Sequence, residues 1–200
     1  MKSPTKQPAK TDLKANLQHK TDTMRVFFAL WPNCRIQQQL HAIAKQLQPQ
    51  CQGRVMRTET LHMTLQFIGN IMRPDLPKLL TAASKVAAPP FTLALEKIAF
   101  WKHNRIAYAT LNSHAPELDA LVLALKTQLA AAGVIYTDSK FSPHVTLLRN
   151  VEHSLPTQNF TAVEWQIASF VLVESKLTDQ GAHYKILHQW PLSLTPPSLT

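Results

Sequence analysis

The 200-residue chain lacks most features that mark a secreted, membrane-spanning or metal-dependent protein. Its two cysteines, Cys34 and Cys51, form no CxxC pair, so free or buried thiols are expected rather than a disulfide. No HExxH or comparable ligand spacing occurs, and we therefore predict no metal site and no cofactor. No apolar run is long enough to span a bilayer, and the first residues have no apolar segment typical of a secretory signal. These absences favour a cytoplasmic protein without membrane contact.

Carboxylates are also scarce in this sequence. The chain has 12 Asp and Glu against 21 Lys and Arg, which gives a formal net charge of +9 at pH 7. Such an excess attracts polyanions, RNA and nucleotides especially. Part of the charge belongs to residues 1–23, predicted to be a disordered basic extension; an inert solvated tail is the simpler interpretation, and loose contact with RNA is the alternative. Residues 24–193 suit a single domain, and residues 194–200 are expected to form a loose C-terminal tail.

Two short stretches of the chain are nearly identical: residues 61–65 (LHMTL) and residues 143–147 (PHVTL). About one comparable chain in several hundred would carry two His-apolar-Thr-Leu copies by chance. Side chains alternate between the two faces of a strand, so His62 and Thr64 share one face, and His144 and Thr146 share one face of the second strand. The opposite face of each strand is expected to be apolar and to pack in the core. Its residues are Leu61, Met63, Leu65 and Phe67 in the first strand and Phe141, Pro143, Val145 and Leu147 in the second.

Two such strands facing each other would offer an acid, a base and two hydroxyl groups to a molecule lying between them. Histidine suits both proton-transfer roles because its unperturbed pKa lies close to neutral pH. The threonine hydroxyls can donate hydrogen bonds to the non-bridging oxygens of a phosphate. The pattern therefore indicates a metal-free phosphodiester site. The alternative is two structural strands that each carry an incidental histidine.

The order of predicted elements indicates an internal duplication. Strands are expected over 24–31, at each histidine motif and over 91–100, 105–111, 163–174 and 183–190. Helices are expected after Asn33, over 74–86 and from Pro116 to Gly133, and Gly69-Asn70 predicts a turn that closes the first histidine strand. Each half contains a helix, a linker and a histidine strand. We therefore predict an α+β fold, a single bilobal domain of duplicated α/β lobes with antiparallel-rich sheets around a central groove and a pseudo-twofold axis.

Five segments between about residues 25 and 192 carry a resemblance to a known family: 25–30 (RVFFAL), 61–69 (LHMTLQFIG), 141–149 (FSPHVTLLR), 174–177 (ESKL) and 184–192 (YKILHQWPL). With them the chain resembles the LigT-like group of the 2H phosphoesterase superfamily, which is named for two His-x-Thr motifs. Both motifs match in full. The main departure from the family pattern is the N-terminal extension.

The resemblance implies a fold of two α/β lobes about a groove. It also implies His62 and His144 as the catalytic pair, Thr64 and Thr146 as phosphate ligands and Arg149 as a further phosphate contact, for which an ordinary surface arginine is the alternative. The implied activity is metal-independent hydrolysis of RNA 2′,3′-cyclic phosphodiester termini to 2′-phosphate. In the assignment adopted, His62 is the general acid to O3′ and His144 activates water, although the pseudo-symmetry lets these roles exchange.

Other functions are compatible with the same sequence. The scaffold could ligate RNA ends through 2′-5′ bonds, process another cyclic or 2′-5′ phosphodiester, bind nucleotides or RNA without catalysis, or serve as a basic scaffold protein. The presence of all four motif residues argues against a purely binding module. A monomer would suffice because both motifs lie in one chain. Phe27 and Phe28 are expected to pack in the core, and the alternative is that one of them stacks on a base in the groove. Tyr184 is left open as a site residue or an ordinary strand aromatic, and the other histidines have no motif.

Overall fold

The computed structural model describes residues 22–137, 140–179 and 181–194. Within these ranges the chain forms nine strands and three α-helices. The strands are β1 (Thr23–Leu30), β2 (Arg54–Val55), β3 (Met63–Met72), β4 (Phe91–Trp101), β5 (Ile106–Thr110), β6 (Val145–Arg149), β7 (Gln158–Ile167), β8 (Ser169–Thr178) and β9 (Gly181–Pro191). The helices are α1 (Cys34–Cys51), α2 (Leu76–Ala83) and α3 (Pro116–Ala131). The expected terminal extension and tail lie outside the described residues, apart from Asp22, Thr23 and Leu194.

The strands form one antiparallel sheet whose order is symmetrical about its centre. The order is β7-β4-β5-β6-β3-β1-β8-β9, and the short β2 pairs with β6. At the centre, β3 and β6 are joined by the pair Met63 and Val145. On one side of this pair, β3 is followed by β1, which precedes α1 in the chain, and then by β8 and β9. On the other side, β6 is followed by β5, which precedes α3, and then by β4 and β7. The predicted α+β fold with two related halves is confirmed, and the two sets of strands join edge to edge in a single sheet.

The helices cover one face of this sheet and leave the other open. The apolar stripes of α1 (Ile36, Leu40, Ala44, Leu47) and α3 (Leu118, Leu121, Leu125, Leu129) belong to one core cluster with the buried residues of the strands. A second, smaller cluster consists of Phe27, Ala29, Val171 and Val173, with Trp31 and Tyr184 packed against it, and is called the front cluster below. The sheet therefore has a back face, which the helices cover, and a front face, which is open.

Three of the helix boundaries follow from local chemistry that the sequence reveals. The side chain of Asn33 accepts a hydrogen bond of 3.0 Å from the backbone N–H of Ile36 and so caps α1, as predicted. Helix α3 starts at Pro116, where the missing N–H costs nothing, and Gly133 follows its end at a φ of +65°. Both ends of α3 lie where the sequence predicted them.

Three details of the sheet differ from the sequence expectation. Gly69-Asn70 is not a turn, because β3 continues to Met72 and Gly69 takes a φ of +92° within the strand. The strand expected over 163–174 is two strands, β7 and β8, which separate at Ala168. The two-residue β2 was not predicted, because hydrophobic alternation cannot be recognised over so short a length.

A bulge in β3 moves Phe67 to the face opposite the one predicted. The register between β1 and β3 shifts between Phe28 and Ala29, which leaves Leu65 as an extra residue in β3. Beyond this point the alternation of faces is inverted, so Gln66 is buried and Phe67 is 40% exposed. The prediction that Phe67 lies on the apolar back is therefore wrong. A bulge is a feature of strand pairing and leaves no mark in the alternation pattern.

Two of the expectations about environment can be compared with the structure. Cys34 is exposed, Cys51 is buried, and neither is in a disulfide, which confirms the prediction of free or buried thiols. Among the residues the structure describes, no helix has the length and apolar character required to cross a membrane.

Candidate active site

The central strand pair brings the two histidine motifs together. Because Met63 lies opposite Val145 in an antiparallel pair, the next positions along the register set His62 against Thr146 and Thr64 against His144. Met63 and Val145 are fully buried in the core behind the sheet. The four polar side chains therefore share the open face, with a histidine and a threonine from each half arranged diagonally.

These four residues line a groove of about 460 Å³ on the open face. Arg149, at the end of β6, lines the same groove, so the structure brings together all five of the predicted site residues. The groove also has residues that sequence reasoning did not assign to it, namely Phe67 and the cations Arg25, Arg54 and Arg57. Phe27 and Tyr184, for which a place in the groove was the open alternative, line it as well.

Both imidazoles are oriented by the same local hydrogen bond. Nδ1 of His62 lies 2.7 Å from the carbonyl oxygen of Thr60, and Nδ1 of His144 lies 2.8 Å from the carbonyl oxygen of Ser142. A carbonyl oxygen only accepts, so Nδ1–H is the donor in each pair and the neutral ring has its lone pair on Nε2. Each motif thus selects its own tautomer through the residue two positions earlier, and Nε2 is the nitrogen available for proton transfer.

Aromatic rings surround His62. The Trp31 ring lies parallel to the imidazole, with centroids 5.1 Å apart and planes 3° apart. Phe27 lies 5.0 Å away, and Tyr184 presents an edge at 5.1 Å. Phe27 is buried as predicted, but it packs in the front cluster beneath the histidine rather than in the main core. These rings hold the imidazole in place and exclude water from its faces.

His144 has an aromatic setting of its own. Trp101 of β4 meets the imidazole at 4.6 Å and Tyr108 of β5 at 5.6 Å, both with the rings steeply inclined. The two halves of the sheet therefore use different aromatic residues for the same purpose. Neither ring was predicted, because only the pairing of β4, β5 and β6 places them beside His144.

Burial lowers the pKa of both histidines. Desolvation lowers the pKa of His62 to about 4; the hydrogen bond to Thr60 opposes this, and positive charge on His144 and Arg149 adds to it. Desolvation likewise lowers the pKa of His144, against the hydrogen bond to Ser142 and with a further contribution from Arg149. Both imidazoles are therefore mainly neutral near pH 7 in the free groove. An anion bound between them would favour their charged forms and raise both pKa values.

The groove is electrostatically one-sided. Four arginines line it, and no Asp or Glu does so among the residues the structure describes. Arg149 and Arg54 are cross-strand partners on β6 and β2. Nor do the described residues include any group of three or more His, Cys, Asp or Glu side chains that could hold a metal ion.

The unpredicted groove residues come from places where the sequence carries little signal. Arg54 lies in the two-residue strand β2, and Arg57 immediately precedes a short 3₁₀ turn (Thr58–Thr60). Both reach the groove through long-range contacts. Nη2 of Arg57, for example, donates to the carbonyl oxygen of Ala182, near the start of β9, at 2.7 Å. Arg25 also lines the groove, and its guanidinium lies 4.7 Å from the centre of the displaced Phe67 ring.

The α+β sheet brings a His-x-Thr pair from each half into one cationic groove, which is the arrangement predicted from the sequence. The family model described as LigT like phosphoesterase matches residues 30–108. The RNA 2′,3′-cyclic phosphodiesterase of Escherichia coli (strain K12) is 27% identical over 176 residues, which cover 86% of this chain and 99% of that protein. In sequence and in fold, the chain is similar to LigT-like phosphoesterases.

Solved structures of the Escherichia coli protein LigT agree in fold with this chain. The apo form has a TM-score of 0.76 and 28% sequence identity, with 86% of this chain and 99% of that chain covered. The complex with 3′-AMP has a TM-score of 0.77 and 26% identity, with 85% and 98% covered. The correspondence extends over nearly the whole of each LigT chain.

Proposed function

We propose that this protein hydrolyses RNA 2′,3′-cyclic phosphodiester termini to 2′-phosphates without a metal ion. The observation that carries the proposal is the central β3–β6 pair, which sets His62 against Thr146 and His144 against Thr64 on the floor of an arginine-lined groove. An anionic diester between two imidazoles, with hydroxyls on either side, has every group that acid–base cleavage requires. The Escherichia coli relative is named an RNA 2′,3′-cyclic phosphodiesterase, which supports this class of substrate.

The mechanism assigns one proton transfer to each histidine. His144, unprotonated at Nε2, takes a proton from water as the water oxygen attacks phosphorus, and His62 gives a proton to O3′ as the P–O3′ bond breaks. The hydroxyls of Thr64 and Thr146 and the guanidinium of Arg149 stabilise the charge on the non-bridging oxygens. The product retains its phosphate on O2′. The pKa of His62 in the free groove is only about 4, so the ring is neutral there near pH 7. The negative charge of the bound phosphate raises this pKa and so favours the proton that His62 donates.

The decisive experiment is a product analysis. We expect an oligoribonucleotide ending in a 2′,3′-cyclic phosphate to be converted to a 2′-phosphate terminus at the same rate with and without EDTA. A 3′-phosphate product or inhibition by EDTA would contradict the proposed reaction. A substrate that is bound but unchanged would indicate a binding module instead, and an RNA neither bound nor changed would indicate a structural role for the histidine strands.

The threonine hydroxyls give a second test of the same mechanism. Thr64→Val and Thr146→Val keep the shape of the side chain but remove the donor, and each should lower kcat by roughly ten- to a hundredfold, since one lost donor to transition-state charge costs up to ~10³-fold. Thr127→Val on the exposed face of α3 is the matched control and should not change kcat. An unchanged kcat in both groove variants would remove the threonines from the mechanism.

Ligation of RNA ends is the second candidate, and one feature favours it. A smaller depression of about 290 Å³ adjoins the groove and shares Thr64, Phe67 and His144 with it. Its other walls include Trp101 and Phe141, which would suit a nucleoside whose 5′-hydroxyl takes the place of water. Adding a 5′-hydroxyl RNA to the assay above should then yield some 2′-5′-linked product. Hydrolysis remains the main reaction in water.

We also propose that the protein acts in the cytoplasm and as a monomer. Two unpaired thiols, one of them exposed, are compatible with a reducing compartment. Both histidines lie in one chain and face one groove, so the site is complete without a second copy.

A further inference from the structure

The groove carries more positive charge than one reacting phosphate requires. A 2′,3′-cyclic phosphodiester has a single negative charge, and the two histidines with the hydroxyls of Thr64 and Thr146 already face the place where it would bind. Arg54 and Arg149 add two guanidiniums on directly opposed positions of the β2–β6 pair. Both side chains line the groove.

This arginine pair, Arg54 and Arg149, is unpartnered. Neither side chain has a hydrogen bond or ion pair with any part of the chain that the structure describes. Like charges directly opposite each other on neighbouring strands destabilise a sheet. The surrounding groove offers no carboxylate within the described ranges to offset this repulsion. An anionic ligand would do so, and a phosphate matches the fork geometry of a guanidinium.

The backbone of the arginine pair lies at the opposite end of β6 from the residues of the catalytic centre. Val145 pairs with β3 at the catalytic centre, whereas Arg149 pairs with β2 at the other end of the strand. Arg149 is three positions after Thr146 in the chain, which corresponds to about 10 Å of strand. Arg149 is still near enough for its charge to lower the pKa of both histidines. The arginine pair therefore lies beside the catalytic centre, in the same groove.

We propose that Arg54 and Arg149 form a second phosphate subsite, which binds the 5′-phosphate of the terminal nucleotide. This inference rests on the proposed function. In an RNA strand this group is the phosphodiester that links the last nucleotide to the one before it. Arg149 serves both phosphates, and Arg54 serves only the second. The subsite gives the enzyme a preference for the end of an RNA strand over a cyclic nucleotide without a 5′-phosphate.

Binding of product-like probes tests the subsite without any turnover. Wild-type protein should bind adenosine 2′,5′-bisphosphate about tenfold more tightly than adenosine 2′-phosphate, because a charge-assisted hydrogen bond of this kind is worth about that factor. Arg54→Gln should bring the ratio of the two dissociation constants close to one, and Arg54→Lys should retain part of it. The preference should also weaken with added salt. Isothermal titration calorimetry measures all three effects.

Turnover provides the second readout. The ratio of kcat/KM for a 5′-phosphorylated nucleoside 2′,3′-cyclic phosphate to that for its unphosphorylated form should fall about tenfold in Arg54→Gln, mainly through KM. Arg35→Gln, which removes one exposed charge from α1 outside the groove, is the matched control and should leave the ratio unchanged. Thermal melts of the free variants should show no loss of stability, since Arg54→Gln removes a repulsion.

The outcomes separate this inference from the proposed function. Equal affinity of the wild-type protein for the two adenosine probes, or a ratio that Arg54→Gln leaves intact, would overturn the second subsite. If the probes behave as expected but neither cyclic substrate is hydrolysed, the subsite stands and the proposed hydrolysis fails.

Discussion

Replacing either His62 or His144 with Ala is expected to lower kcat for a 2′,3′-cyclic phosphate terminus by about 10²–10⁴-fold, the usual contribution of a positioned acid or base. The effect should be similar for both residues, because the two imidazoles act in one proton-transfer sequence. The double variant should be little worse than either single variant, since residues that act as a unit are not additive. Single-turnover kinetics with excess enzyme would measure the chemical step directly.

The control for these variants is His114→Ala. His114 is exposed, lies outside the groove and pairs with Asp119 at 2.6 Å. It should keep the wild-type rate. Melting temperatures of all three variants should be compared, because His62 stacks on Trp31 and its loss could loosen the front cluster. Near-full turnover by either groove variant, in a folded protein, would disprove the two-histidine mechanism.

The order of proton transfer can be tested with a substrate whose O3′ is replaced by sulfur. A thiolate is a much better leaving group and needs little help from an acid. With His62 as the acid, His62→Ala should recover much of its lost rate on this substrate and His144→Ala should not. Recovery of His144→Ala instead would show that the roles are exchanged, as the pseudo-symmetry allows.

The second large effect concerns pH. We expect kcat/KM to be highest at acidic pH and to fall about tenfold per pH unit on the alkaline side, because productive binding needs one proton on the histidine pair of the free enzyme. Desolvation lowers the pKa of both groups, that of His62 to about 4, so this proton is lost below the usual 6.5. In the enzyme–substrate complex the phosphate raises both pKa values, so the optimum of kcat should lie at higher pH than that of kcat/KM.

The same lowered pKa affects stability. The unfolded chain binds a proton on His62 near pH 6.5, while the folded chain resists it down to about pH 4. Between these values the unfolded state holds more protons, so the free energy of unfolding should rise with pH through this window. Titration of the imidazole signals by NMR would measure both histidines directly. An optimum of kcat/KM at or above pH 8, or an ordinary pKa for His62, would contradict the expected effect of burial.

Much of the site was predictable because the critical information is local. Alternation along a strand placed His62 with Thr64 and His144 with Thr146, and the structure sets all four on one face. The cap at Asn33 and the end of α3 near Gly133 are equally local, since each depends on residues within one turn of helix.

The residues that escaped prediction depend on contacts between distant parts of the chain. Phe67 reached the groove only because a bulge opposite β1 inverted the alternation of β3. Trp101 and Tyr108 contact His144 because β4 pairs with β5 and β5 with β6. Arg54 entered through a strand of two residues, too short for any periodic signal.

The amino-acid sequence by itself determined the chemistry: two imidazoles, two hydroxyls, an excess of cations and the strand faces on which the motif residues stand. Those properties follow from composition and from the period of a strand, which need no partner. Only the tertiary structure decided how these groups are tuned. The register of β3 against β6 set each histidine opposite a threonine, and packed aromatic rings and Arg149 lowered the pKa of His62. Burial and charge act through space, between residues that lie far apart in the chain.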